Sequence, residues 1–132
     1  MAVASGLINY KGFDLNDTPD LTGKVCVITG GQGGIGKEMV AQLLHHGISK
    51  VYILAKSMQK FGNACQYWEG DAHKFSTEDI QKKVAFMPCD LQDVTIVKKV
   101  TDELKKELTR LDMLIGNAGK ITLPCIHLKP PN

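Results

Sequence analysis

The sequence predicts an α/β fold, a doubly wound parallel sheet of about four strands in the order 3-2-1-4 with helices on both faces. Three observations predict it. Short apolar runs alternate with longer amphipathic ones along most of the chain. The first apolar run ends in a cluster of glycines that opens directly into a helical pattern. The glycine-rich and polar elements with chemical potential all fall at the carboxyl ends of apolar runs, which is where such sheets place their ligands.

Taken in order, Val25-Cys26-Val27-Ile28-Thr29 is a short, β-branched run and reads as a buried parallel strand. A helix follows from about Gly34 to His46, with Met39, Val40, Leu43 and Leu44 as its apolar stripe and Gly47 in the closing position. Val51 to Ala55 is the second strand. The stretch from Ser57 to Lys83 is ambiguous. Phe61 to Trp68 admits a helix, Gly70-Asp71-Ala72 reads as a break, and Ser76-Thr77-Glu78-Asp79 resembles an N-cap with acids in the first turn. Val84 to Cys89 is the third strand, with Pro88 near its end. An amphipathic helix covers about Val94 to Leu108, striped by Ile96, Val97, Val100, Leu104 and Leu108. Met113-Leu114-Ile115 is the fourth strand, ending at Gly116-Asn117-Ala118-Gly119. Right-handed crossovers convert this β-α-β-α-β-α-β order into the spatial order 3-2-1-4, with the ligand crevice where strands one and four diverge. The expected division is an irregular lead-in over residues 1–22, a Rossmann-type half-domain over 23–119 and a C-terminal tail over 120–132.

Composition narrows the function classes. The 132 residues suit one domain, and 43% hydrophobic residues support a packed core. A formal net charge of +2, with lysines scattered along polar helix faces, gives no nucleic-acid footprint. Cys26, Cys65, Cys89 and Cys125 form no C-x-x-C pair, and no His stands at zinc-finger spacing from them. They read as reduced thiols without metal, in a cytoplasmic compartment. No apolar run reaches the ~18 residues of a membrane span, and the N-terminus lacks a secretory pattern. His45-His46 at a helix end reads as a complement to the helix dipole, and Tyr67 and Trp68 as packing residues.

Thr29-Gly30-Gly31-Gln32-Gly33-Gly34-Ile35-Gly36 joins the first strand to the first helix. Glycine is needed where backbone approaches a phosphate, because a Cβ would block it. Gly30 suits the tight turn, Gly34 the approach of a pyrophosphate, and Gly36 the packing of helix on strand. The helix N-terminus offers free N–H groups and a partial positive charge. Gly31 to Lys37 also fits G-x-x-x-x-G-K, but the next residue, Glu38, has no hydroxyl for Mg²⁺ and repels a triphosphate. That disfavours a P-loop nucleotide hydrolase.

Thr29-Gly30-x-x-x-Gly34-Ile35-Gly36 resembles the Rossmann-type cofactor loop of the short-chain dehydrogenases/reductases. Asp90-Leu91 is similar to that family's acidic dipeptide, and Asn117-Ala118-Gly119 resembles its N-N-A-G element. Leu21-Thr22-Gly23-Lys24-Val25 matches its usual opening. The resemblance implies that Asp90 accepts a hydrogen bond from the adenine amino group, the alternative being a helix N-cap. It implies that Asn117 steadies the central strands and that Ala118 and Gly119 leave room for a ribose, the alternative being a simple turn. Gly116 departs from the pattern, which has Asn there.

The end of the second strand bears on cofactor choice. An acid there would bind a ribose 2′-hydroxyl and repel a 2′-phosphate. Here Lys56 and Ser57 follow Ala55, and no acid appears until Glu69. Lys56 suits a 2′-phosphate and Ser57 a hydrogen bond to it, so NADP(H) is favoured over NAD(H). The alternative is that Lys56 is merely exposed. The expected activity is hydride transfer between a nicotinamide and an alcohol or ketone. The Ser, Tyr and Lys that the resemblance implies for catalysis belong beyond Gly119, and Lys120 to Asn132 contains neither Ser nor Tyr. The sequence therefore predicts no catalytic residue and no metal ligand in this chain, and a chain cut short. The alternatives are a non-catalytic dinucleotide-binding module and a non-functional fragment. Ile121 to Ile126 is a candidate cover for the outer edge of the fourth strand.

Overall fold

The computed structural model describes residues 12–120. Its elements are a 3₁₀ turn at Leu15–Asp17, β1 (Val25–Thr29), α1 (Gly34–His45), β2 (Lys50–Ala55), α2 (Met58–Glu69), α3 (Thr77–Lys83), β3 (Val84–Pro88), α4 (Val94–Glu107) and β4 (Met113–Gly116). The strands form one sheet in the order β3-β2-β1-β4, with every pairing parallel. Ile28 of β1 stands between Ile53 and Ile115, and Thr29 between Leu54 and Gly116.

The β1 side chains alternate between two cores. Cys26 and Ile28 join Val40, Leu44, Ile53, Ala64, Trp68 and Ile80 on the face covered by α1, α2 and α3. Val27 joins Tyr52, Leu54, Val100 and Leu104 on the face covered by α4. Burial on both faces is why β1 and β2 read as continuous apolar runs rather than alternating ones.

The segment between β2 and β3 resolves into two helices, so the element order is β-α-β-α-α-β-α-β. Each has its own start signal. Ser57 Oγ accepts from the Lys60 N–H at 3.2 Å, and Ser76 Oγ accepts from the Asp79 N–H at 3.1 Å. α2 closes at Gly70, whose N–H donates to Gln66 and Tyr67, and the connection then turns through Lys74 at a φ of 56°. Trp68 at the end of α2 is fully buried, and its Nε1 donates to the Lys37 carbonyl at 3.0 Å. That contact docks α2 onto α1.

Several boundaries shift by one residue. α1 stops at His45 and His46 becomes its C-cap, donating its N–H to the Gln42 carbonyl, with Gly47 at a φ of 79°. Cys89 falls just outside β3, though its N–H still donates to the Ala55 carbonyl at 2.9 Å. α4 ends at Glu107 with Leu108 as its C-cap, and β4 extends to Gly116. The lead-in contains the short 3₁₀ turn, which Asp14 caps by accepting from the Asn16 N–H. Among the described residues β3 and β4 are the two edge strands, and Leu114 on β4 is 70% exposed. The candidate cover Ile121 to Ile126, and Cys125 within it, lie outside the described residues. Among the described residues no helix is long and apolar enough to cross a membrane.

Candidate functional site

The turn after β1 and the turn after β4 are tied together by one side chain on each. Thr29 Oγ1 accepts the N–H of Asn117 at 3.1 Å and that of Ala118 at 3.0 Å. In return Asn117 Nδ2 donates to the carbonyls of Thr29 at 3.3 Å and Gly30 at 3.1 Å. These bonds hold two loops at the point where the winding of the sheet reverses.

The glycines between β1 and α1 divide into those that pack and those that face open space. Gly30 has a φ of 67°, and a Cβ there would stand 3.0 Å from the Ala118 Cα. A Cβ on Gly31 would press on Ile28, Ile53 and Val40, and one on Gly36 would fall on the Gly30 carbonyl oxygen. Gly33 and Gly34 meet nothing within 4 Å. Gly33 is the N-cap of α1 and makes no side-chain cap, and the first turn of α1 carries no acid. Among the described residues the amino end of α1 is therefore without a side-chain cap and open, and it carries the positive end of the helix dipole.

Beside this turn lies a cleft of about 470 Å³ between the carboxyl ends of the strands, lined in part by Gly30, Gln32, Lys56, Asp90, Ala118 and Gly119. Lys56 follows β2, and its Nζ stands 3.3 Å from Asp90 Oδ2, beyond the end of β3. Asp90 Oδ1 accepts the Gln92 N–H at 3.0 Å. The Gln92 N–H, and after it Lys56, hold the Asp90 carboxyl below its ordinary pKa. Asp90 is not the helix cap: Asp93 caps α4, accepting the N–H groups of Thr95 and Ile96.

Of the residues singled out from sequence, Gly30, Lys56, Asp90, Leu91, Ala118 and Gly119 line the cleft. Gly36 and Asn117 stand behind its wall, where they brace the turn. Gly34 is at the bare helix end. Ser57 is occupied as the cap of α2. Ile35 is 77% exposed and faces an apolar patch with Phe13, Leu15, Met39 and Leu43, away from the cleft lining. His46 bonds the Gln42 and Leu15 carbonyls through its two ring nitrogens, whereas His45 contacts His73.

Two residues of the site escaped the sequence reading. Thr29 is the first letter of the glycine motif, but its bonds reach Asn117 and Ala118, 88 and 89 residues away in the chain, at the end of the neighbouring strand. Gln32 lines the cleft and carries a buried side-chain oxygen without a hydrogen-bond partner. Nothing in its sequence context signals that. An orphaned buried acceptor beside a cleft is the kind of group a bound polar ligand or water would satisfy.

A doubly wound parallel sheet with a glycine turn and a cleft at its switch point defines a Rossmann-type nucleotide-binding protein. The family model described as short chain dehydrogenase matches residues 24–130. A Neurospora crassa protein named oxidoreductase bli-4, mitochondrial, is 36% identical over 113 residues, which cover 86% of this chain and 26% of that protein. A short-chain dehydrogenase/reductase of Armillaria gallica is 40% identical over 114 residues, covering 83% of this chain and 33% of the relative. Among solved structures, the C-domain of a bacterial malonyl-CoA reductase with NADP matches at a TM-score of 0.61 and 30% identity, over 82% of this chain and 16% of that one. The chain belongs to the short-chain dehydrogenase/reductase family of oxidoreductases, which bind nicotinamide dinucleotides. It spans between a quarter and a third of the length of these two curated relatives, at 26% and 33%.

Proposed function

We propose that residues 23–119 bind NADP(H) in preference to NAD(H), as the cofactor half of an oxidoreductase that interconverts an alcohol and a ketone. The observation that carries the reading is the bare amino end of α1. A Cβ at Gly33 or Gly34 would meet no described atom within 4 Å, and neither a side-chain cap nor a first-turn acid competes for an anion there. The cleft beside it, about 470 Å³, opens onto that helix end, and the unpartnered Gln32 oxygen adds a vacant acceptor.

When bound, the nicotinamide supplies or accepts the hydride. The chain's own residues bind and orient. The α1 N–H groups and the Gly34 backbone receive the pyrophosphate, with Ile35 and Gly36 continuing that turn. Lys56, and Ser57 with its remaining hydroxyl proton, meet the 2′-phosphate. Asp90 and Leu91 hold the adenine, Ala118 and Gly119 leave room for the ribose, and Asn117 steadies the central strands behind them. The absence of an acid after β2 supports NADP(H), and the malonyl-CoA reductase domain was solved with NADP. The thiols support a reducing, cytoplasmic setting: Cys26 and Cys89 are buried and, with Cys65, free. The mitochondrial name of the Neurospora relative is the competing indication.

A second reading, a dinucleotide-binding module without catalysis, is favoured by one observation. Among the described residues the cleft lining holds no Ser, Thr or Tyr hydroxyl.

The test is titration of the chain with NADPH and NADH, repeated with Gly34→Val. Saturable NADPH binding, tighter than NADH and lost in the variant, is the expected result. Absence of binding together with absence of a cooperative unfolding transition would identify a non-functional fragment and end the proposal.

A further inference from the structure

We propose that Lys56 and Asp90 form an exchange pair: Asp90 holds the Lys56 ammonium until a 2′-phosphate takes it, so Asp90 sets cofactor preference together with Lys56. The proposal deepens the cofactor reading above and rests on it.

The two residues follow adjacent parallel strands, and both line the cleft. Their ion pair, at 3.3 Å, crosses from the end of β2 to the end of β3. The partners differ in freedom. The Lys56 side chain is 77% exposed on a flexible stem, so its head can swing between partners. The Asp90 side chain is only 30% exposed, and its Oδ1 is engaged by the Gln92 N–H. The Asp90 carbonyl also accepts the Asp93 N–H at 3.0 Å. Asp90 is thus the fixed member and Lys56 the movable one.

Both Asp90 oxygens have partners in this arrangement: Oδ1 has Gln92, and Oδ2 has Lys56. A ligand donor that seeks Oδ2 competes with Lys56. A 2′-phosphate carries up to two negative charges and draws the ammonium from a single carboxylate, which frees Oδ2 for the ligand. A dinucleotide without that phosphate offers Lys56 nothing in exchange. It binds either with Asp90 still occupied or at the cost of the ion pair. The preference then has two sources, the bond between Lys56 and the phosphate and the release of Asp90.

Calorimetric titration of the 132-residue chain and of Lys56→Ala with NADPH and with NADH tests this. Lys56 is exposed, so its removal leaves the fold intact. The exchange predicts opposite signs: NADPH weakens about tenfold or more, whereas NADH tightens by roughly two- to fivefold, the range of an exposed ion pair. Asp90→Asn keeps an oxygen acceptor and releases Lys56, so it tightens NADH by a similar factor. Adding Lys56→Ala to it brings NADH no further gain, because the same pair is already broken. Weaker NADPH with NADH unchanged or weaker overturns the exchange and leaves Lys56 as a plain phosphate contact. Unchanged NADPH in Lys56→Ala overturns both the exchange and the assignment of Lys56 to the phosphate. Absence of binding to the unsubstituted chain overturns the cofactor reading and the exchange with it.

Discussion

His45 Nε2 lies 3.0 Å from His73 Nδ1, and the other nitrogen of His73 lies 3.2 Å from Glu38 Oε2. Tyr67 and Gln42 complete the cluster by donating to the two Glu38 oxygens. It fastens α1 to the α2–α3 connection on the side of the sheet away from α4. Only one proton fits between the two rings, so both cannot be fully protonated in this arrangement. Burial, and after it the charges of His73 and His46, push the His45 pKa down, while Glu38 opposes the shift.

A pH dependence follows with a definite sign. His45 binds its proton more weakly folded than unfolded. Its contribution is therefore complete above the unfolded value of about 6.5 and is lost as pH falls below it. Glu38, whose pKa is lowered first by Gln42 and then by Tyr67, adds a further loss at more acid pH. Melting temperature should fall as pH goes from 7 to 5, and His45→Gln should flatten that decline. An identical slope in the variant would remove His45 as its cause.

Trp68→Ala should be the most damaging single substitution on the α1 face. The indole is fully buried, stands edge-on to Phe61 and bonds the Lys37 carbonyl. Loss of an aromatic of this size costs about 3–5 kcal/mol. Urea denaturation followed by circular dichroism measures it. A cost below about 1 kcal/mol would mean that α2 does not dock as described.

Two glycines of one turn should respond unequally. Gly33→Ala places a methyl in open space on extended backbone, so stability should change by less than about 0.5 kcal/mol. Gly36→Ala drives a methyl into the Gly30 carbonyl oxygen and toward the Asn117 amide. The rigid turn must shift, at a cost of about 1–3 kcal/mol. Thermal melts of the two variants side by side decide the matter, and equal melts would contradict the packing of α1 on β1.

Thr29→Val keeps the shape of the side chain and removes the acceptor for two N–H groups. Hydrogen exchange at Asn117 and Ala118 should accelerate, while the Ile53 amide in β2 should be unaffected. Unchanged protection at both positions would show that the link between the turns is held by Asn117 alone.

The sequence by itself determined the sheet and its order. Val25 to Thr29 and Val51 to Ala55 are apolar at every position but Thr29 because both faces of a central parallel strand are covered, and right-handed crossovers leave one winding. It determined the glycine turn as well, since positive φ at Gly30 and Gly34 is a local requirement that residue type records directly. Tertiary structure alone decided how Ser57 to Lys83 divides, because the docking of α2 depends on the Lys37 carbonyl 31 residues away. It turned Ile35, part of the glycine motif, outward, and it gave Ser57 to a helix cap. It paired Thr29 with Asn117, 88 residues apart, and Lys56 with Asp90. Periodicity and backbone preference act over a few residues and leave their mark in the local sequence. Bonds between loops depend on which strand ends become neighbours, and only the assembled sheet sets that.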